Sequence, residues 1–355
     1  MRLLILPRYS PLGASSRLRM YQYLPALRAA GIELQVSPLL DDDYLHGLYS
    51  GRTPLTPVLR GYARRWRALR ELRDFDAVWV EKEAWPWLPL WLERWLLNGP
   101  ARLVLDYDDA VFHRYDRHRN PLVRRMLGRK LDRLMQRADL VTAGNDYLAG
   151  RARSAGCPNV QWLPTVIDLE RYPDAPAHTQ AGPVVVGWIG SPSTAGYLQA
   201  AGDALAPLQA AGLIQCVAIG ARPEQVQGTP FQSRPWQEHT EVAQLQGFDI
   251  GIMPLPDAPW ERGKCGYKLI QYMACGLPVV ASPVGVNTTI VRPDENGWLA
   301  DTPEQWAAAI RRLAEDSVLR RRMGAAGRRQ VEDTYSLQAQ AGRLIGMLGG
   351  VVETA

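Results

Sequence analysis

The sequence predicts an α/β protein of two doubly wound domains, each built on a parallel sheet. Three observations indicate this fold. The chain has 355 residues, enough for two domains of ordinary size. Short apolar segments alternate with helical segments along its first half, which is typical of a parallel sheet covered on both faces. A stretch rich in Pro and Gly over 168–183 interrupts the alternation, which then begins again.

The first domain, residues 1–167, contains five predicted strands. They lie over 3–6, 32–37, 77–80, 102–105 and 140–142, and all except the second are short apolar runs. One helix is predicted after the first strand, through Met20, Leu24 and Leu27. Another is predicted over 122–138, before the fifth strand.

The second domain, residues 184–335, repeats this layout without repeating the sequence. Its predicted strands cover 184–189, 214–219, 250–253, 279–281 and 298–300. Helices over 303–315, 318–333 and 337–348 close the chain. We interpret residues 168–183 as a linker, and residues 336–355 as a C-terminal helix that crosses back to the first domain.

The charge of the chain is unevenly distributed. Its net charge is +5, but residues 1–165 hold 26 Lys and Arg against 17 Asp and Glu, and the remainder holds 15 against 19. This asymmetry indicates a different partner for each domain. Only four basic residues are lysines, at positions 82, 130, 264 and 268, and two of these lie four residues apart.

The cysteines and apolar runs indicate the compartment. The four cysteines show no paired spacing of the kind that binds zinc, so we expect reduced thiols and no structural metal at Cys157, Cys216, Cys265 and Cys275. The apolar run over 1–7 is too short for a signal peptide. The most apolar stretch, 84–97, is shorter than the roughly 20 residues that span a bilayer. We therefore expect a cytoplasmic protein.

The segment 249–287 carries the clearest functional pattern. A strand ends near Pro254, a loop follows, and a helix is predicted from Lys264 to Cys275. Loops at the carboxyl ends of parallel strands form the ligand crevice of open α/β sheets, and a helix N-terminus there favours a phosphate. Lys264 and Lys268, at i and i+4, would share one helix face and bind an anion. The alternative is a solvated helix face.

Five segments of the chain share a family resemblance. They are KCGYKLIQYMACGLPVVASPVGVN at 264–287, DYDDAVF at 106–112, ADLVTAGN at 138–145, VGWIGS at 186–191 and NGWLA at 296–300. These segments resemble glycosyltransferase family four, whose members have the GT-B fold. The resemblance covers most of the chain beyond its first 75 residues, and the first of these segments is the most specific.

The resemblance implies two Rossmann-like domains facing across a cleft. It implies a nucleotide-sugar donor held by the second domain and an acceptor held by the first. It also implies transfer with retention of anomeric configuration and without an obligatory metal or other cofactor. Lys264 and Lys268 would neutralise charge on the leaving diphosphate, and the donor would lie beside Gly190, Ser191 and Tyr267.

The sequence departs from the family pattern at three positions. The family often has two glutamates eight positions apart, where this chain has Gly263 and Gln271. Gln271 can still hydrogen-bond a ribose hydroxyl as a neutral group, whereas Glu261 is two residues out of register. Asp108 stands where the family often has a histidine. We assign it one of two roles, a polar contact with the transferred sugar or acceptance of the proton from the acceptor hydroxyl.

Alternative interpretations remain for the acidic triplet and the first loop. The carboxylates of Asp106, Asp108 and Asp109 could cap a strand-end turn. Asp106 and Asp108 could instead form the metal-binding DxD of the other large glycosyltransferase fold, which the second Rossmann-like half argues against. In the first loop, Gly13 and Ser15 would let backbone approach an acceptor or a phosphate, with Arg17 or Arg19 as charge partner. The alternative for Ser15 is a plain helix N-cap.

Basic and aromatic residues in the first domain bear on the membrane. Six arginines lie on a predicted helix that also carries Trp66 and Leu69, at positions 60, 64, 65, 67, 70 and 73. Five large apolar residues follow at helical spacing, namely Leu88, Trp91, Leu92, Trp95 and Leu96. Trp together with Arg suits an anionic bilayer surface. The alternative is a core-facing stripe beside a solvated basic face.

Together these patterns predict a cytoplasmic, metal-independent, retaining glycosyltransferase of polysaccharide or glycolipid synthesis. Its acceptor would be a glycan or a lipid-linked molecule, reached by peripheral contact with an anionic membrane. No nucleic-acid module is recognised, so we expect no nucleic-acid partner. The alternatives are a weakened nucleotide-sugar-binding or scaffolding protein, and an epimerase or hydrolase on the same fold.

Overall fold

The computed structural model describes residues 1–49, 55–93, 98–173 and 182–353. The chain divides into two compact units. The first unit comprises residues 1–166, 263–265 and 339–355, and the second comprises residues 167–262 and 266–338. Of the predicted linker, positions 174–181 lie outside the described residues.

The first unit contains a six-stranded parallel sheet. Its strands are β1 (Arg2–Leu6), β2 (Glu33–Val36), β3 (Ala77–Glu81), β4 (Arg102–Tyr107), β5 (Leu140–Ala143) and β6 (Val160–Trp162). They lie in the order β2-β1-β3-β4-β5-β6, and every neighbouring pair is parallel. The five predicted strands are confirmed. The sequence missed β6, because this edge strand has three residues and all are only half-buried.

Helices of the first unit follow its strands. They are α1 (Ala14–Arg19), α2 (Leu24–Ala29), α3 (Asp42–Tyr49), α4 (Leu55–Arg70), α5 (His113–Asp116), α6 (Pro121–Leu127), α7 (Lys130–Arg137) and α8 (Asp146–Ser154). The single helix predicted over 122–138 is wrong, since the chain breaks it into α6 and α7 near Gly128. A side chain at Gly128 would lie 2.3 Å from the carbonyl oxygen of Arg124, so the turn fits only glycine.

The predicted apolar helix over 88–96 is also not observed. Its described part forms a single 3₁₀ turn, Leu90–Glu93, and Trp95 and Leu96 lie outside the described residues. Two prolines precede the turn, and Trp87 between them has a positive φ of 64°, a backbone conformation that no α-helix contains.

The second unit contains another six-stranded parallel sheet. Its strands are β7 (Val184–Ile189), β8 (Ile214–Ile219), β9 (Phe231–Arg234), β10 (Ile250–Met253), β11 (Val279–Ala281) and β12 (Gly297–Leu299). They lie in the order β12-β11-β10-β7-β8-β9. Every neighbouring pair is parallel. The five predicted strands are confirmed, and the sequence missed the largely polar edge strand β9.

In the second half of the chain, the last three helices agree closely with those predicted from the sequence. They are α9 (Leu198–Ala210), α10 (Glu241–Gln246), α11 (Pro259–Arg262), α12 (Tyr267–Ala274), α13 (Asn287–Ile290), α14 (Pro303–Glu315), α15 (Ser317–Thr334) and α16 (Leu337–Glu353). Helix α14 begins with a capping box, in which Thr302 and Gln305 bond each other's backbone N–H. Within the described ranges, no helix is long and apolar enough to cross a membrane.

Central strands of both sheets are buried on both faces. Every residue of β3, β5 and β10 is buried, as expected for parallel strands covered by helices. Ligand sites of open α/β sheets lie where such strands end, and charged side chains are found there in the first unit.

Candidate active site

A charged cluster lies at the carboxyl ends of β3 and β4 in the first unit. The Asp108 carboxylate pairs with the Lys82 ammonium at 2.8 Å. The Ser15 hydroxyl is 2.7 Å from Asp108 Oδ2 and 2.8 Å from Glu81 Oε1, and it accepts a hydrogen bond from Lys82 Nζ at 3.0 Å. The structure thus brings the predicted residues Ser15 and Asp108 together, and adds Lys82 and Glu81 to them.

Lys82 has a backbone conformation that is rare for a residue with a side chain. Its φ is +67°, in the left-handed region that costs such residues roughly 1–3 kcal/mol. The Lys82 N–H donates to the carbonyl oxygen of Asp106 at 2.9 Å, which holds the turn in place. Strained positions of this kind concentrate at functional sites.

A buried ion pair between Arg19 and Asp106 lies next to the cluster. Arg19 donates two hydrogen bonds to Asp106, at 2.6 and 2.9 Å, and both side chains are essentially inaccessible to solvent. Thr142 donates a third to the same carboxylate at 2.6 Å. The Asp106 carboxylate is therefore already engaged by Arg19 and Thr142, and the DxD interpretation of Asp106 and Asp108 does not fit. No group of three or more metal-ligating side chains occurs among the residues that the structure describes.

The charges in the cluster lower the pKa of Asp108. Burial alone would raise this pKa, but the nearby Lys82 ammonium and Arg19 guanidinium outweigh burial and lower it to about 2. The same carboxylate raises the pKa of Lys82, against the effect of burial. Because a carboxylate of such low pKa is a weak base at neutral pH, Asp108 is better suited to accept a hydrogen bond than to remove a proton.

The first loop holds its predicted residues by packing and by backbone contacts. A side chain at Gly13 would lie 2.4 Å from Tyr9 Cβ, so the loop requires glycine there. Arg17 donates to the carbonyl oxygen of Pro11 at 3.1 Å. Helix α1 has Gly13 at its N-cap without a side-chain cap, so the alternative role of Ser15 as N-cap is wrong.

The two lysines of segment 249–287 do not share a helix face. Helix α12 begins at Tyr267, so Lys264 precedes it and belongs to the first unit. The Lys264 ammonium pairs with Asp109 at 3.0 Å, and its carbonyl oxygen accepts from Asn145 Nδ2 at 2.9 Å. The predicted i, i+4 pair is therefore wrong, because tertiary contacts within the first unit hold 263–265 outside the helix.

Gly263 is required by packing in the first unit. A Cβ atom there would lie 2.5 Å from Ala110 Cβ and 2.7 Å from the Ala110 backbone nitrogen. Backbone atoms cannot yield to such a contact, so the position has no room for the glutamate that the family often carries. The departure at this position has a local, steric reason.

In the second unit, Gly190 and Lys268 lie side by side after β7. A Cβ atom at Gly190 would lie 2.4 Å from the Trp188 ring and 2.9 Å from Lys268 Cε. The Lys268 ammonium is 5.5 Å from the centroid of the Trp188 ring, within range of a cation–π contact. A glycine turn thus meets a cation from the first turn of α12 within the second unit.

The remaining donor-side residues have different surroundings. Ser191 is exposed, precedes a 3₁₀ turn and shares a 2.8 Å hydrogen bond with Ser193. Tyr267 is half-buried at the start of α12. Gln271 is buried, and its amide nitrogen donates to Glu241 at 2.9 Å and to the Tyr172 hydroxyl at 3.1 Å. Contact of these residues with a donor remains a prediction.

Sequence reasoning missed three charged residues of these sites: Glu81, Lys82 and Glu241. One signal was available for Lys82, since it is one of four lysines in a chain that otherwise uses arginine and directly follows a buried strand. No local pattern marks Glu241, which meets Gln271 only because α10 and α12 pack in the same unit.

Comparisons with known proteins give a family match in the second half of the chain. Residues 183–316 match the family model described as "Glycosyl transferases group 1". Over 62 residues the chain is 44% identical to D-inositol 3-phosphate glycosyltransferase from a Nocardioides species, a match that covers 17% of this chain and 14% of that protein. The chain is related to the family-four glycosyltransferases.

Two solved structures show the same fold. Sucrose-phosphate synthase from Thermosynechococcus elongatus matches with a TM-score of 0.73 at 17% identity, over 100% of both chains. HepE from Anabaena, solved with UDP-glucose, matches with a TM-score of 0.73 at 16% identity, also over 100% of both. The predicted GT-B fold is confirmed. The matching stretches span between 14% and 49% of the curated relatives' own lengths.

Proposed function

We propose that this chain transfers a sugar from a nucleoside-diphosphate sugar to a hydroxyl group of a glycan or lipid-linked acceptor, with retention of anomeric configuration. The proposal is carried by the contact between the Gly190 turn and Lys268 at the carboxyl end of β7. This contact lies within the matched family segment 183–316. It is the kind of surface that a diphosphate needs, with a half-buried glycine turn beside a positive charge.

The electrostatics of α12 support the placement of the diphosphate. A helix N-terminus carries a partial positive charge, which disfavours a lysine in its first turn. Lys268 occupies that turn, and an anion between the ammonium and the backbone N–H groups would make the arrangement favourable. These two sources of positive charge would stabilise the leaving diphosphate, so we propose that transfer requires no metal cofactor.

The cluster around Asp108 supports an acceptor or sugar site in the first unit. Its ionised carboxylate and the Ser15 hydroxyl are suited to hydrogen bonds with sugar hydroxyl groups. In a front-face retaining reaction, an oxygen of the leaving phosphate accepts the proton of the acceptor. No protein nucleophile is then needed, and the low basicity of Asp108 agrees with this scheme.

A turnover experiment tests the proposal. The chain is incubated with UDP-, GDP-, ADP- and TDP-sugars and a panel of glycan and lipid-linked acceptors, and the anomeric configuration of the product is read by proton NMR. We expect transfer with retention. Release of free sugar without an acceptor would instead indicate a hydrolase, and donor binding without transfer on any acceptor would indicate a binding protein.

A surface of the first unit supports a membrane-associated acceptor. Helix α4 exposes Leu55 and Leu59 to 77% and 70%, and Trp66 to 39%. The spacing of 55, 59 and 66 places all three on one helix face. Arg60, next to Leu59, is also exposed. Arg65 does not belong to the predicted basic face, because it is buried. Its guanidinium donates to the carbonyl oxygens of Pro7, Ser37 and Ala84.

We propose that this face of α4 contacts an anionic lipid surface. Exposed Leu and Trp beside Arg combine apolar insertion with attraction to anionic headgroups. Flotation with vesicles containing phosphatidylglycerol should recover the wild-type chain, and Leu55→Glu/Leu59→Glu should lose this recovery. Leu122→Glu, at an exposed leucine on α6, is the matched control. Equal recovery of the double variant and the control would contradict the proposal.

A further inference from the structure

We propose that Lys82 is a positioning residue for glycosyl transfer: it keeps the Asp108 carboxylate ionised and in place to accept a hydrogen bond from a substrate hydroxyl. This inference rests on the proposed function and names a residue that no sequence motif marks. It is carried by the arrangement of side chains at the ends of β3 and β4.

The left-handed turn at Lys82 is what assembles the cluster. Consecutive residues of an extended strand direct their side chains to opposite faces of a sheet. Glu81 and Lys82 are consecutive, yet both contact the Ser15 hydroxyl, at 2.8 Å and 3.0 Å. The positive φ of Lys82 therefore brings an ammonium to the side of the sheet where Glu81 and Asp108 already lie.

The hydrogen bonds of the cluster leave Asp108 with accepting capacity. Ser15 has one hydroxyl proton, which it donates either to Glu81 or to Asp108, while it accepts from Lys82. A carboxylate offers about four acceptor positions. Asp108 uses at most two of them for Lys82 and Ser15, and its side chain is 11% exposed. Because Oδ1, which faces Lys82, is buried, a substrate hydroxyl would have to donate to Oδ2.

Among the cations near Asp108, Lys82 is the one that acts directly on its carboxylate. Three further carboxylates are contributed by β3, β4 and the loop after β4, namely Glu81, Asp106 and Asp109. Arg19 of α1 is engaged with Asp106, and Lys264 is engaged with Asp109. The Cys265 thiol donates to the Asp108 carbonyl oxygen at 3.1 Å and carries no charge. Lys82 is the cation in direct contact with the Asp108 carboxylate.

The pH dependence of turnover tests this role. Without the ammonium, burial and the neighbouring carboxylates favour the protonated form of Asp108, so the loss in Lys82→Met should grow as the pH falls. We expect the ratio of wild-type to variant kcat to rise as the pH falls from 7 to 5, by up to about tenfold for each pH unit below the pKa of Asp108 in the variant. Lys82→Arg, which keeps the charge, should hold the ratio constant. A ratio for Lys82→Met that does not change with pH would overturn the proposal.

A double variant covers the case in which Lys82→Met does not fold. Lys82→Met/Asp108→Asn removes both charges, so that neither is left buried without its partner. If Lys82 acts through Asp108, the double variant has the kcat of Asp108→Asn alone. A further drop of tenfold or more would show that Lys82 acts independently, and would overturn the proposal. Arg102→Met, at the opposite end of β4, is the control for loss of a cation.

A measurement without turnover separates this inference from the proposed function. Carboxyl ¹³C NMR of aspartate-labelled protein reports the titration of Asp108, assigned by its absence in Asp108→Asn. The Asp108 resonance should titrate at higher pH in Lys82→Met than in the wild type, and an unchanged titration would overturn the inference. A wild-type chain that transfers no sugar would contradict the proposed function alone, since the titration is observed without substrate.

Discussion

Replacing Lys268 with methionine should weaken the binding of a nucleoside diphosphate. Two unit charges 4 Å apart interact by about 4 kcal/mol at an effective dielectric constant of about 20. Lys268 is half-buried, so desolvation and screening reduce the net contribution to that of a charged hydrogen bond, about 1.5–3 kcal/mol. This corresponds to a dissociation constant about 10–150 times larger. Methionine keeps an unbranched side chain against Trp188, so the packing beside Gly190 changes little.

Isothermal titration calorimetry measures the effect directly. The ligand is the nucleoside diphosphate that most raises the melting temperature of the wild type, and the corresponding nucleoside is titrated in parallel. The nucleoside lacks phosphate, so its affinity should not change in Lys268→Met. Arg262→Met is the matched control, because Arg262 lies in the preceding segment, is about half exposed and pairs with Asp257 at 2.6 Å. Unchanged diphosphate affinity, or an equal loss for the nucleoside, would refute the placement of the diphosphate.

Three further predictions concern the first unit, each measured by urea unfolding followed by tryptophan fluorescence. Gly263→Ala should lower the free energy of unfolding by about 1–3 kcal/mol, because the added methyl group meets backbone atoms of Ala110; equal stability would show that the segment can shift. Arg19→Met should cost about 3–5 kcal/mol, since it leaves the Asp106 carboxylate buried without its partner, and Arg19→Met/Asp106→Leu should recover most of this loss. The pKa of Asp108 lies near 2 in the folded chain, below its usual value, so its contribution of about 2 kcal/mol is present above pH 4 and disappears as the pH falls towards 2. Asp108→Asn should therefore be less stable than the wild type at pH 6 and converge with it on acidification; a difference that does not depend on pH would contradict this assignment.

Much of the fold follows from local patterns. The ten predicted strands are all observed, because most are apolar runs between turn residues and central parallel strands are buried on both faces. Helices α14, α15 and α16 were predicted within a few residues, except that α16 extends to Glu353, since capping residues and apolar periodicity mark them. The edge strands β6 and β9 were missed because they are short and largely half-buried or polar, whereas the edge strands β2 and β12 were predicted.

The sites were predicted less completely, because contacts between distant segments assemble them. The sequence singled out Asp108 and Ser15, but nothing in it states that a left-handed turn at Lys82 joins them. It placed Lys264 and Lys268 on one helix face, although Lys264 is held by Asp109, more than 150 residues earlier in the chain. Spacing predicts which residues share a helix face only where the helix itself begins before them.

The sequence by itself determined the class of the fold, the two sheets and the family segment around α12. These features depend on hydrophobic periodicity and on short runs of residues, which are local properties of the chain. Only the tertiary structure decided which charges meet. It pairs Lys82 with Asp108, removes Arg65 from the predicted basic face and leaves no room for a side chain at Gly263. Ion pairs and steric limits depend on distances of a few ångströms between residues far apart in sequence, and no local pattern encodes those distances.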